Sequence, residues 1–436
     1  MKVIKPILLV ALCCWLHATG LYCQSNDANV YQSGDQNSVQ VEQVSTSSNM
    51  NDVKVIQVGN TNSTVSIQEG SENSSYNRQN GTSNSIYNSQ KGDKNDNVIL
   101  QDGSYNEHVS IMNGNGHRLD SRQTGQRNYT ESNQSGTENI TYLHQDGSRN
   151  ESSLTVSGQE NFANLWQQGN KNKANGIQNG NRNHGSVSQN GNRNVANLST
   201  EGNNNQSYII QDGNKNTSNQ LQTDNSNSAI TIQAGSRNTS YSRQNGTSNG
   251  LYTRHHGNRN DNVVLQDGSS NTHESYVNGD MNRIDSRQSG QGNATISDLG
   301  GTENISYSYQ GGSNNTASLT TNGDENFANT WQTGNGNEIN ISLNGVGNSI
   351  NGVQEGEGNV ANLIYDGSNN TYHVTQVGNN NLVEHEMTNG SNAEMILLQE
   401  GDNNLLIYKK DGISNQSVNV TQIGNNLQAE IIQSNQ

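Results

Sequence analysis

The sequence predicts an all-β fold: a β-solenoid of 11-residue strand-turn units, with two strands in each 22-residue coil and two facing parallel sheets. Three observations carry this. A motif Gln-x-Gly-x-x-Asn recurs with an 11-residue period, from Gly59, Gly70 and Gly81 onward to Gly378, through thirty units without one insertion or deletion. Within each unit, uncharged positions alternate with mixed, often charged ones at a period of two, the mark of a strand with one buried side. Two kinds of unit also alternate along the chain, so one coil holds two of them.

In chain order, residues 1–23 read as a signal peptide: Lys2 and Lys5 form a basic start, and the apolar run from Ile7 to Leu16 is too short to span a bilayer. Cys13, Cys14, Cys23 and Pro6 are the only Cys and Pro of the chain. Cleavage before Gln24 therefore leaves a mature chain without disulfides or thiol chemistry; a lipid anchor on Cys23 is the competing reading. Residues 24–56 hold degenerate repeats such as Gln32/Gly34/Asn37, residues 57–386 the regular array, and residues 387–436 further degenerate copies such as Gln399/Gly401/Asn404. No linker or second domain interrupts them.

Units are numbered from the Gln, so Gly is position 3 and Asn position 6. Gln holds its column in 21 of the 30 units; the Gly column departs once, at Asp224, and the Asn column once, at His117. Positions 8 and 10, such as Ala163 and Leu165 or Ile339 and Ile341, contain no Asp, Glu, Lys or Arg, although these make up 14% of the chain. Positions 1, 6, 8 and 10 are therefore expected to face inward. Positions 7, 9 and 11, with residues such as Lys173, Glu131, Arg122, Tyr76 and Tyr241, face solvent. Gly59, Gly81, Gly103, Gly125, Gly147, Gly169, Gly191, Gly213 and Gly235 supply turns, because glycine adopts backbone conformations that other residues resist. Each unit is then a strand of about five or six residues plus a tight turn. Such a strand cannot hide its apolar side alone, so the units must stack.

The Gln column sets the coil. His255, Val277, Leu299, Thr321, Leu343 and Tyr365 alternate with Gln266, Gln288, Gln310, Gln332, Gln354 and Gln376, and the earlier exceptions Met112, Val156 and Thr200 fall at every fourth unit. Both patterns fit a two-unit coil; a three-unit, 33-residue coil is the alternative. A longer duplication overlies the array: residues around 68–172 recur 165 positions later, pairing Phe162 with Phe327 and Trp166 with Trp331. That shift is fifteen units, so in a two-strand coil the copied block sits with its faces exchanged.

An inward, unpaired amide costs about 1 to 3 kcal/mol. Stacked at the strand spacing of about 4.7 to 4.9 Å, each amide can instead bond its equivalents one coil above and below. The expected Gln ladder comprises Gln57, Gln68, Gln79, Gln90, Gln101, Gln123, Gln145, Gln167, Gln189, Gln211, Gln233, Gln266, Gln288, Gln310, Gln332, Gln354 and Gln376. The Asn ladder comprises Asn62, Asn84, Asn106, Asn128, Asn150, Asn172, Asn194, Asn216, Asn238, Asn260, Asn282, Asn304, Asn326, Asn348 and Asn370. Only the end coils would keep open edges, and an open edge is a template for another chain.

The pattern Gln-x-Gly-x-x-Asn-x-Ala resembles the curlin repeat, clearest at Gln167/Gly169/Asn172/Ala174/Gln178 and Gln189/Gly191/Asn194/Ala196, whereas Gln354/Gly356/Asn359/Ala361 is followed by Tyr365 where Gln is expected. The resemblance covers nearly all of the chain after residue 23. It implies a secreted bacterial subunit of curli-like amyloid fibres in the extracellular matrix, working in biofilm and adhesion. Its implied partners are further copies of itself, a curli-type export channel and a nucleator. The chain departs from a typical curlin in its many repeats and in its replaced alternate Gln.

Composition and motifs offer no chemistry to set against this. With 28% hydrophobic residues the chain is far from the roughly half expected of an ordinary globular enzyme. Without residues 1–23 it has 21 basic and 39 acidic residues, net −18, which favours solubility and disfavours nucleic acid or anionic membrane. His255/His256 is the one adjacent His pair, read as one inward and one turn-facing residue rather than a metal site. Asp102, Asp146, Asp212 and Asp267 follow turn preference, and no calcium-type G-G-x-G-x-D nonapeptide occurs. Triplets such as Asn73-Ser74-Ser75 and Asn139-Ile140-Thr141 match glycosylation acceptors, but an inward Asn cannot carry a glycan. Tyr76, Tyr142, Tyr208, Tyr241 and Tyr307 read as outward packing on the sheet. No cofactor, catalytic residue, metal or small-molecule substrate is expected. The main function expected is a self-assembling extracellular fibre subunit; the alternative is a monomeric solenoid adhesin at the cell surface. An ice-binding solenoid would need a regular outward Thr array, and an enzyme on a β-helix a cluster of acids on one face.

Overall fold

A computed structural model describes residues 26–46, 49–412 and 415–434, so the signal-peptide reading, with Cys23 and Gln24, lies outside the described residues. The described chain contains 37 strands, from Asp27–Ser33 to Gln428–Ser434, and no helix. Strands alternate between two parallel sheets of 19 and 18 members, each strand pairing with the next but one in sequence. Both sheets are open at their ends: Asp27–Ser33 and Ser38–Ser45 each have one partner, as do Ser417–Ile423 and Gln428–Ser434.

Gln145 lies opposite Gln167, a 22-residue step that excludes the 33-residue alternative. The first coil is longer, with Asp27 opposite Asp52, and after an irregularity between Tyr365 and Gly367 the step lengthens by one, as in Gln376 opposite Gln399. At about 4.8 Å per strand, 19 stacked strands give a rod of about 86 Å. The degenerate flanks extend the solenoid beyond its regular array. The duplication exchanges faces: Phe162 lies in the larger sheet and Phe327 in the smaller.

Most strands are nine residues long, such as Phe162–Asn170, rather than five or six, because the chain stays paired straight through its Gly. The turn also needs a second residue that the Gly motif does not reveal. Gly147 has φ 117°, and two residues later Arg149 has φ 57°. Position 5 adopts this left-handed conformation in every regular unit, occupied by residues as varied as Thr61, Glu138 and Lys171. The Gly column is fixed by crowding as well as conformation. A Cβ on Gly147 would stand 2.0 Å from the carbonyl oxygen of Gly169 in the next coil. Asp224, the one exception, has φ 69°, where a side chain is tolerated.

The interior changes along the rod. Beyond the aliphatic first strands it is largely polar from Thr64 to Ser110, with Asn77 and Asn88 donating to the Ser75 hydroxyl at 2.9 and 2.8 Å. Apolar clusters follow, one from Met112 to Ile209 and a larger one from Ala317 to Tyr408. In the latter Tyr365 stacks on Tyr372 at 3.7 Å and His385 on Tyr408 at 5.0 Å.

Gly147→Ala is therefore expected to destabilise the protein by more than about 1 kcal/mol, whereas Arg149→Gly in the same turn should change stability by less than about 1 kcal/mol. Urea midpoints of the two variants measure this. An alanine variant as stable as the parent would contradict the close approach between glycines.

Candidate functional site: stacked amides and open ends

Each Gln named from the sequence is at most 2% exposed and each Asn at most 1%, while the nine turn glycines have φ between 108° and 127°. The two amide columns do different work. In the Gln column, Nε2 donates to the Oε1 of the Gln one coil toward the C-terminus: Gln123 to Gln145 at 3.0 Å, Gln145 to Gln167 at 2.8 Å, Gln167 to Gln189 at 2.9 Å. The same Nε2 also donates to a main-chain carbonyl, as Gln145 does to Tyr129 at 2.8 Å. That second contact fixes the amide's orientation, because a reversed amide would set oxygen against oxygen.

Asn was expected to stack on Asn, but its main partners are backbone. Asn150 Nδ2 donates to the Gly169 carbonyl at 2.9 Å, and Asn150 Oδ1 accepts the Asn172 N–H at 3.1 Å. A short side chain at a bend reaches the neighbouring arc more readily than the neighbouring amide, so each Asn braces the turn of the next coil. His117 substitutes with its ring, Nδ1 accepting the Asn139 N–H at 3.3 Å. Direct Asn to Asn contacts accompany the brace at some rungs, as from Asn84 to Asn62 at 3.1 Å.

The uninterrupted Gln run changes sheets half-way. In the larger sheet it runs from Gln32 to Gln233 and stops at His255. In the smaller sheet it is broken by Met112, Val156 and Thr200, then runs from Gln222 to Gln422. Because every amide donates in one direction, each break should orphan the oxygen of the Gln just beyond it. Gln134, Gln178 and Gln222 follow Met112, Val156 and Thr200, and in all three Oε1 is buried without a partner. Gln220, inward at position 10, has neither amide atom bonded.

The interior also holds histidines. His255 is buried and His256 exposed, matching the inward and turn-facing reading. Burial pushes His108 and His273 down to about 3 and His255 to about 4. His385 is pushed to about 3 by burial first and by the Lys410 charge second. Among the described residues no group of three or more His, Cys, Asp or Glu is placed to hold a metal ion. Asn73 and Asn139 are buried, as an inward Asn must be. The outward aromatics pack on the sheet: Tyr142 meets Phe162 at 5.7 Å, His184 meets Tyr208 at 5.2 Å and Tyr307 meets Phe327 at 5.6 Å.

The ends complete the geometry. Toward the N-terminus, Ala28, Val30 and Gln32 point inward from one strand and Val39, Val41 and Gln43 from the other. Toward the C-terminus the equivalents are Val418, Val420 and Gln422, then Ala429, Ile431 and Gln433. No protein-family model matches the chain, and no curated protein matches its sequence.

Gln145→Leu should cost about 1 to 3 kcal/mol by orphaning the Gln167 oxygen, while Val156→Gln, which supplies a donor to Gln178, should cost less; denaturant titration ranks them, and the reverse order contradicts the ladder. Burial keeps His108, His255, His273 and His385 neutral when folded, and their ordinary value is about 6.5. Their contribution to stability is therefore intact above about pH 6.5 and is lost progressively as pH falls toward 4. His255→Gln should flatten the melting temperature's dependence on pH between 6.5 and 4, and an unchanged slope would count against a buried neutral ring.

Proposed function

We propose that the chain is a secreted structural subunit whose copies add end to end into fibres. The observation that carries this reading is the complementarity of the two ends. Each of the four terminal strands presents two small aliphatic residues and one Gln inward, so strands of one end can lie on those of the other with aliphatic on aliphatic and amide on amide. Hydrogen-bond polarity supports a head-to-tail joint. Gln32 and Gln43 donate into the rod at 2.6 and 2.8 Å, leaving their oxygens toward the N-terminal end, whereas Gln422 accepts from Gln399 at 2.8 Å, donates to the Leu405 carbonyl at 3.0 Å and leaves its second amide hydrogen near the other. Head-to-head docking would place acceptor against acceptor. Unpaired strand edges favour addition of a further strand. With 37 described strands, unbroken alternation between the sheets would start each new copy on the sheet opposite its predecessor's first strand.

The resemblance to the curlin repeat supports placing such fibres in a bacterial extracellular matrix, with an export channel and a nucleator as partners. The test is polymerisation of the purified chain, followed by dye binding and fibre diffraction, with and without fragmented fibres as seeds. Fibres with a spacing of about 4.7 to 4.8 Å are expected, and Val30→Lys with Val41→Lys should abolish elongation. A chain that stays monomeric in the presence of its own seeds would overturn the fibre reading and favour the monomeric adhesin.

A further inference from the structure

One column of position 5 stands apart. On the edge where the chain passes from the larger sheet to the smaller, Arg127, Arg149, Lys171, Arg193, Lys215, Arg237 and Arg259 occupy seven successive turns, all exposed. Their turns are stacked in register: the Lys171 N–H donates to the Ser148 carbonyl at 2.9 Å, Arg193 to Asn170 at 2.9 Å and Lys215 to Asn192 at 2.9 Å. Six steps of about 4.8 Å make a single file of positive charge about 29 Å long, on a protein of net charge −16. None of the seven joins an ion pair among the described residues, although Asp146, Glu151 and Asp212 lie nearby; Glu151 pairs with Lys173 instead. Asn214, Ser236 and Asn258 line an open trough beside Lys215, Arg237 and Arg259, with Met281 and Asp280 at its end, where Asp280 accepts from Asn258.

The fold does not require these cations. Each sits at φ between 56° and 62°, where Gly or Asn is the easier occupant. The duplication supplies an internal control. Fifteen units further on, Arg127, Arg149 and Lys171 correspond to Gly292, Asn314 and Gly336, at the same kind of turn with φ between 56° and 68°. The copy makes its turns with the favoured residues, and the original keeps a row of like charges, none of them ion-paired among the described residues.

We propose that this ridge binds a linear carboxylated polysaccharide, running along the rod with one carboxylate per sugar residue against successive turns. The spacing favours that partner, because an extended sugar residue is close in length to one coil step, and the neutral Asn and Ser beside the cations can bond hydroxyls. Duplex DNA carries one charge per about 1.7 Å on a broad cylinder, and single strands are held by rows of aromatics. Of such aromatics this edge offers only Tyr105, under Arg127 at 5.7 Å. A second copy of the chain fits poorly, since no column of outward or turn positions stacks more than two acids in succession. The proposal is independent of polymerisation, because the ridge lies on the side of the rod.

The test measures binding of polygalacturonate to the purified chain, with dextran as the neutral control and single- and double-stranded DNA as competing polyanions. The parent should bind polygalacturonate and not dextran, and weaken at least about tenfold near 1 M salt, where the screening length is about 3 Å. R149G/R193G/R237G should lose at least about tenfold in affinity, as should R149N/R193N/R237N, with unfolding midpoints no lower than the parent's. R122Q/R254Q/K409Q, which removes equal charge elsewhere, should bind as the parent does. Absence of binding at low salt, or equal loss in that control, would overturn the proposal. Tighter, ridge-dependent binding of DNA would overturn the choice of polysaccharide.

Discussion

The hydrogen bond between one glutamine side chain and its equivalent a coil away is the interaction on which this structure depends. A rod so thin has room for only two rows of side chains between its sheets, and in this chain much of that room is filled by amides. Singly, each would be a buried defect. Repeated at the strand spacing, each Nε2 meets an oxygen above and a carbonyl beside it, as Gln145 does with Gln167 and Tyr129. The rule has a visible cost where it is broken: the three orphaned oxygens of Gln134, Gln178 and Gln222 each stand one coil beyond a substituted rung.

Direction follows from the same bond. A column of amides that all donate one way is a polar object, and it gives the rod unlike ends without any special capping segment among the described residues. The asparagines add a second, independent tie between coils, because each holds both the carbonyl and the N–H of the arc above it. Where the Gln column gives out, after Gln233 in one sheet, packing takes over. Leu299, Leu343 and Tyr365 fill the same positions, and the apolar cluster from Ala317 to Tyr408 stabilises the end where that sheet has no ladder. Ladder and core are thus alternative ways of filling one column.

Much of this was legible in the sequence because a strand's alternation is a strict code. Charges missing from positions 8 and 10 gave the inward face, and the alternation of Gln with Val277, Leu299 and Leu343 gave the two-strand coil. The face exchange followed arithmetically from a duplication of fifteen units. What escaped was whatever leaves no residue signature. Position 5 is left-handed throughout, yet Arg and Glu each hold it at least as often as Gly, since stacking of the turns enforces a conformation the residues do not choose. The partners of Asn were also hidden, because inward direction does not say whether an amide will meet another amide or the backbone. The basic ridge was invisible for a related reason: its members are two units apart along the chain, and only the coil brings them into line.

If interior amides are satisfied by their neighbours, hydrogen exchange of side-chain NH2 groups, resolved by isotope-edited NMR, reads this out residue by residue. Slow exchange is expected for Gln145 and Gln211 in mid-ladder, and exchange near the rate of a free amide for Gln433 at the open end. Uniformly fast exchange along the Gln columns would contradict that bonding.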